Sequence, residues 1–431
     1  MRSKKPFSAA KPAFVIFLTL LLASAIVPTQ AHARKFKVLH TFHGAPDDGA
    51  IPDSELLLDS AGNIYGTTDV GGRAKGTCPQ GGCGTAFKMD EAGKMTWVYR
   101  FNAPKSNTTE AGLLRDKAGH LYGTTVLGGD TNCYSSGCGT VFRLNSAGTK
   151  ETVLYKFTGT PDGWFPTAPL TEDASGNLYG TTYSGGASGY GTVFKLGATG
   201  KETILHSFAG PPSGGGDGAL AYEGLTRDTA GNLYSVTLEG GAYGKGVVFK
   251  LDTTGSETLL YSFRGGSDGS YPNSELVPDS AGNLYGTTHE GGNGQCGGTG
   301  CGTVFKLTRG SGGNWTESIL YVFCSRSNCD DGEYPQGLTL DAAGNVYGTT
   351  VFGGAYQNCN GEACGVVFKL DTAGKEAVLH NFTGGADGGG PGASVIRDSA
   401  GNLYGSTQVG GDPNCTIAGD SGCGVVFKLT P

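Results

Sequence analysis

Asp279-Ser280-Ala281-Gly282-Asn283-Leu284-Tyr285-Gly286-Thr287-Thr288 is the stretch whose reading decides the fold, because the chain writes it seven times. It returns with small changes from Asp59, Asp116, Asp173, Asp228, Asp341 and Asp398, at intervals of 51 to 62 residues. A fixed period of this length marks one supersecondary unit repeated along the chain. In Asp-x-x-Gly the Asp side chain bonds the turn backbone and Gly takes the positive φ that closes a hairpin. The Leu-Tyr-Gly-Thr-Thr that follows has strand character.

Working outward from the fifth copy predicts four strands per unit. Ser274–Pro278 is strand A and Leu284–Thr288 is strand B. Gly291-Gly292 opens a loop, Gly302–Leu307 is strand C, and Thr258–Phe263 of the unit before shows strand D. No segment from residue 34 onward has a sustained 3.6-residue apolar period, so helix should be nearly absent. Four-stranded units of this size fit blades of a β-propeller, or coils of an open β-solenoid. The last unit stops after its strand C, Val425–Leu429, while Lys37-Val38-Leu39-His40-Thr41-Phe42 matches strand D elsewhere. The N-terminal strand should therefore complete the last blade and leave no open edge. The expected fold is all-β, a single seven-bladed β-propeller over residues 34–431.

At these GNLYGTT, GG and GTVFKL elements the chain resembles the GloVer-type tandem-repeat family of exported bacterial proteins, whose members in many cases carry a C-terminal surface anchor. The resemblance spans all seven units and implies export; it carries no established reaction. No anchor follows Phe427, a departure from that pattern. The layout is also similar to the NHL class of propeller repeats, which mostly bind, and fold-level likeness does not fix function.

The first 33 residues read as a secretory signal. Arg2, Lys4 and Lys5 precede the apolar run 13–27, and Ala31-His32-Ala33 supplies a small-x-small cleavage site. The run is shorter than the roughly 20 residues a spanning helix needs. Cleavage would leave 27 basic against 38 acidic residues, a net charge of −11. Such a chain lacks the basic stripe that nucleic acid requires. The expected location is secreted or periplasmic, as a monomer with no membrane span.

All 12 Cys fall in local pairs: Cys78/Cys83, Cys133/Cys138, Cys296/Cys301, Cys324/Cys329, Cys359/Cys364 and Cys415/Cys423. Between the GG pair and the Gly that opens strand C, units three and four have 4 residues and no Cys, whereas the other five have 9 to 12 and one pair each. Even count, local pairing and export predict disulfides. The histidines are scattered, so no metal or cofactor is expected.

In an up-down meander the B–C and D–A connections share one face, and that face takes every long loop and every Cys pair. It also carries Trp164, Phe165, Tyr271 and Tyr334 beside a recurring Pro, with Tyr134, Tyr190, Tyr243, His289, Glu290 and Tyr356. Rigid scaffolds place function on such loops. These residues are candidates for binding a glycan or a cell-surface protein, although each alone reads first as a cap on the inter-blade core. Nothing resembles a nucleophile elbow, a phosphate loop or a zinc-protease motif. The alternative is a polysaccharide hydrolase or lyase at the central opening of the same face, for which Glu239, Glu290, Glu362 or Asp412 could supply carboxylates. The recurring strand-B Tyr and strand-C Phe, filled alike in every blade, read as core. The Lys or Arg after each Phe reads as snorkelling or paired with a turn carboxylate.

Overall fold

Each copy of the repeat folds as predicted into a hairpin that pairs on both sides. The computed structural model describes Met1 and residues 34–431, apart from 73–77, 79–80, 104, 134, 211–215, 360–361 and 418–419. The signal reading falls on residues outside that set. Seven antiparallel sheets, each ordered A-B-C-D outward from the innermost strand, form the blades of a ring. In blade 3 these strands are Thr171–Glu172, Leu178–Thr182, Thr192–Leu196 and Glu202–Ser207. Strand A is only two residues long in six blades; in blade 6 it extends over Glu333–Leu340. Among the described residues the only helical segments are three short 3-10 turns.

The seam closes as the termini predicted. Strand D of blade 7 is Lys35–Thr41, which pairs antiparallel with strand C, Val425–Thr430, from Lys35 opposite Thr430 to Thr41 opposite Val425. Phe42 follows it into the core, fully buried.

The A–B turns repeat one hydrogen-bond design. Asp59 Oδ1 accepts from the backbone N–H of Ala61 and Asn63, and Asp59 Oδ2 accepts from Asn63 Nδ2 and Tyr65 Oη at 2.9 Å each. The recurring Tyr is thus anchored as well as packed. Its cross-strand neighbour is the recurring Lys, whose ammonium lies 5.0–5.4 Å from the Tyr ring centroid in five blades. That cation–π placement accounts for the basic residue after Phe in those five blades.

The core lies between blades. Each strand D delivers a Phe that meets the strand-C Phe of the next blade edge-to-face, in seven pairs at 5.0–5.4 Å from Phe42–Phe87 to Phe382–Phe427. Such pairs contribute about 0.5–1.5 kcal/mol each beyond area burial. The strand-B Gly makes room for them: a Cβ on Gly66 would sit 2.5 Å from the Phe87 ring.

A second seam device lies in the D–A connections. Ile51, Thr108, Phe165, Leu220, Tyr271 and Tyr334 adopt φ of 55–61°, and Gly390 takes the same role in blade 7 at 59°. Each donates its N–H to a carbonyl of the preceding blade at 2.8–3.1 Å, and in five seams that carbonyl belongs to the second Cys of a pair. Non-Gly residues seldom hold such a φ, so the inter-blade bond fixes it.

All six predicted disulfides are formed. Cys83, Cys138, Cys301, Cys364 and Cys423 are fully buried in the inter-blade core. The bridges therefore join the variable loops to the seams, a structural role larger than loop shaping alone.

Candidate functional site

The connections that enter strand A converge on the ring axis. A cavity of 220 Å³ there is lined by residues from all seven, among them Asp53, Glu55, Glu110, Thr167, Tyr222, Glu223, Asn273, Glu275, Gln336 and Ser394. Apart from Gln336, inside the long strand A of blade 6, these residues precede strand A, which places the cavity at the end of the axis where the loop face lies. Two further cavities, of 290 and 330 Å³, share Glu55 with it and continue along the A strands.

This well is acidic. Asp53, Glu55, Glu110, Glu223 and Glu275 line it, and Asp69, after strand B of blade 1, feels the charges of Asp53 and Glu110. Each has at most sparse support. Gln408 Nε2 donates to Asp53 Oδ1 at 2.7 Å, Ser394 Oγ to Glu55 Oε1 at 2.8 Å, and Tyr222 Oη to Glu110 Oε2 at 3.3 Å. The backbone N–H of Glu275 donates to Glu223, and Thr226 Oγ1 reaches Glu275 Oε1 at 3.4 Å. Asp69 Oδ1 is sealed from solvent and no donor reaches it. Among the described residues no Lys, Arg or His forms an ion pair with any of the six.

Burial without counter-charge favours the protonated form. Burial, and then the neighbouring Glu110 charge, push Asp53 up to about 6 despite the Gln408 bond. Burial and Glu55 push Glu223 up to about 7. Burial, Glu55 and Glu223 push Glu275 up to about 8. Burial likewise raises Glu55, Asp69 and Glu110.

None of the aromatic and polar residues proposed from the sequence lines this cavity. Tyr134 lies outside the described residues. The others are distributed around blades 3 to 6. The Trp164 and Phe165 rings lie 6.2 Å apart. The ammonium of Lys245 lies 4.7 Å from the Tyr271 ring centroid and donates to its hydroxyl at 3.0 Å. His289 stacks on Tyr334 at 4.4 Å, and burial holds it below its usual pKa. Tyr243 and Tyr356 are exposed. Glu290 pairs with Ser270 in the blade-5 sheet.

Glu239, Glu290, Glu362 and Asp412, on which the alternative enzyme reading could draw, are also absent from the well, and Asp412 instead contacts His43 at 2.6 Å. They lie at the ends of B strands or on the B–C loops, whereas the well is lined mainly by residues entering strand A, joined by Val351 and Gln408 from the ends of B strands. The missed signal was available there. Asp53-Ser54-Glu55-Leu56, Tyr222-Glu223-Gly224-Leu225 and Asn273-Ser274-Glu275-Leu276 are non-repeating acidic positions just ahead of a repeated apolar residue.

Among the described residues two other clusters bring such groups together: the sulfurs of Cys296, Cys301, Cys324 and Cys329, which are tied up in two disulfides, and His206, Asp217 and Glu257, whose ligand atoms lie within 4.8 Å of one another. The second occupies the blade 3–4 seam. The blade 5–6 seam places Tyr321, Asp331 and Glu376 in the same order, with Tyr321 Oη donating to Asp331 Oδ2 at 2.7 Å. The His trio is thus one version of a repeated seam contact.

The repeat carries the kinship. The sequence profile of the Gloeobacter/Verrucomicrobia repeat matches residues 75–300 and 295–431. The chain belongs to that family. None of the curated proteins matches the sequence. Among solved structures, virginiamycin B lyase from Staphylococcus aureus is similar over 93% of this chain and 100% of its own, at 14% identity and a TM-score of 0.54. The extracellular domain of a hybrid two-component system from B. thetaiotaomicron is similar over 92% of this chain and 40% of its own, at 12% identity and a TM-score of 0.52. At these identities the likeness shows a common propeller fold. Six disulfides suit a chain that matures in an oxidising, extracytoplasmic compartment, and no helix among the described residues is long and apolar enough to cross a membrane.

Proposed function

We propose that this chain is an exported, non-catalytic binding propeller that receives a glycan on its loop face, over the axial well. One observation carries the reading: all seven D–A connections, identical in backbone role but varied in side chain, meet at a single cavity. A frame held by inter-blade bonds and disulfides presents different side chains at equivalent positions, and this lowers the ordering cost of binding. The proposed surface extends from the well to Trp164, Phe165, Tyr271, Tyr334, Tyr134, Tyr243, His289, Glu290 and Tyr356. A cell-surface protein is the other occupant this face could take. Export by cleavage after Ala33 and a monomeric state belong to the same reading. N-terminal sequencing of the secreted form should begin at Arg34.

The second reading is a polysaccharide hydrolase or lyase at the same opening. It is favoured by Glu223 and Glu275, which burial and neighbouring carboxylates push up to about 7 and 8. Such groups hold a proton near neutral pH and can act as general acids.

A panel of polysaccharides assayed for both retention and cleavage separates the two. Retention without product, lost in Trp164→Ala or Tyr222→Ala with the thermal midpoint unchanged, is the expected result. Product formation abolished by Glu223→Gln would establish the enzyme instead.

A further inference from the structure

Two of the six bridges meet. Cys296–Cys301 lies in the B–C loop of blade 5 and Cys324–Cys329 in the connection from blade 5 to blade 6. All four sulfurs nevertheless lie within 4.8 Å of one another, and among the described residues no other four cysteines come together in this way. Cys301 and Cys324 are buried in the seam between the two blades, with Cys296 and Cys329 partly buried against them. Closing a six-residue loop needs only the two sulfurs of its own bridge, so loop closure does not explain why the pairs are neighbours.

The backbone at this place is also unusual. Cys296, Cys324 and Cys329 hold φ of 51°, 55° and 53°, a region that non-Gly residues seldom occupy. Such conformations persist where the surrounding structure over-determines them, and they gather at ligand clamps and switch regions.

The four sulfurs suit a soft metal ion. Zinc holds thiolates at about 2.3 Å in a tetrahedron, which sets the sulfurs about 3.8 Å apart. From the positions observed, opening both bridges and moving each sulfur by about 1–2 Å reaches that geometry. Each pair has four residues between its cysteines, within the two to four usual for paired ligands of structural zinc sites. A set of thiolates alone selects zinc over the harder cations that carboxylates and carbonyls bind.

We propose that the blade 5–6 seam is a redox-gated zinc site, in which Cys296, Cys301, Cys324 and Cys329 together bind one zinc ion once both bridges are reduced. Each bridge takes two electrons and two protons from a dithiol reductant, which leaves as its own disulfide. Zinc then replaces the four thiol protons, which pass to water. The partly exposed Cys296 and Cys329 are where a reductant enters. The carbonyl of Cys301 accepts the N–H of Tyr334 at 2.8 Å, and that of Cys329 accepts the N–H of Gly354 at 2.9 Å. Zinc therefore keeps blade 6 and its Tyr334 pinned under reducing conditions that release the other loops.

The test opens all six bridges of the purified chain with a water-soluble phosphine under argon, adds zinc chloride or none, and follows alkylation by N-ethylmaleimide peptide by peptide in a mass spectrometer. Zinc should slow alkylation of these four cysteines at least about tenfold and of the other eight less than about twofold, because a bound thiolate must leave the metal before it reacts. Cobalt(II) in place of zinc should bind one ion per chain with the absorption of a tetrahedral tetrathiolate. That spectrum should vanish when Cys296→Ser and Cys301→Ser are combined, and persist when Cys133→Ser and Cys138→Ser are combined. The alkylation pattern is read on the unaltered chain, so it decides the matter where a variant does not fold. Equal protection of all twelve cysteines, or protection of none, overturns the site. A tetrathiolate spectrum that survives loss of Cys296 and Cys301 does so as well.

Discussion

Asp69 follows strand B of blade 1, where the other blades carry Val126, Tyr183, Leu238, His289, Val351 and Gln408. One blade in seven therefore puts a carboxylate where the repeat itself tolerates aliphatic, aromatic or amide groups. Burial, Asp53 and Glu110 make the Asp69 carboxyl costly to ionise, so Asp69→Asn is expected to raise Tm at pH 8. For relief of about 1 kcal/mol the gain is about 1–3 °C, read by calorimetry; a lower Tm would show that the carboxylate is structurally satisfied. The opposite sign is expected at Phe194. Its ring is fully buried and edge-to-face with Phe157 at 5.1 Å, so Phe194→Ala should cost about 3–5 kcal/mol in denaturant unfolding.

At the scale of the element, the D–A connection does more than join blades. Its left-handed residue takes the carbonyl of the preceding blade, and five of seven such carbonyls belong to a disulfide-bonded Cys. Closing a loop of about six residues contributes only about 2 kcal/mol in the chain-entropy model. Replacing Cys133 and Cys138 together with Ala should exceed that figure, because Cys138 is wholly buried and loss of its sulfur also leaves a gap in the inter-blade core. Urea unfolding measures the difference, and a loss below 1 kcal/mol would confine the bridge to loop shaping. The spacing of the Cys pairs was legible in the sequence. Their attachment to the seam was not, since it depends on which carbonyl the next blade finds, a contact between residues 27 positions apart.

For the whole molecule, the seam strand is the first test of cooperativity. Deleting residues 34–42 uncovers strand C of blade 7 and removes Phe42 from its pair with Phe87. The expected outcome is a Tm lower by more than about 10 °C, or association through the open edge in gel filtration; an unchanged monomer would disprove the closure. pH acts on four seams at once. Burial foremost pushes Glu202, Glu257, Glu317 and Glu376 up to about 7 from the usual 4.5. The folded ring keeps these protons to higher pH than the unfolded chain, so their stabilisation is complete below 4.5 and is lost as pH rises through 7. The well carboxylates add the same sign. The turn caps oppose it: hydrogen bonds outweigh burial and hold Asp59, Asp228 and Asp398 below 3.8, a contribution lost as pH falls through their folded values. Stability should therefore peak near pH 4–5 and decline towards pH 8, with a shallower decline when the four seam Glu are changed to Gln. Rising stability from pH 5 to 8 would contradict it.

The repeat, the four strands, the ring closure and the cysteine pairing were all determined by the sequence itself. Each is written locally and seven times, or as a matched pair of ends, so period and turn chemistry suffice to read it. The acidic well is different. Asp53, Glu110, Glu223 and Glu275 lie far apart in the chain and break the repeat where they stand. What makes them a site is the ring axis, on which positions one blade apart become neighbours within a single low-dielectric cavity. Only the tertiary structure decides that, because charge repulsion and desolvation act through space and leave no period in the chain.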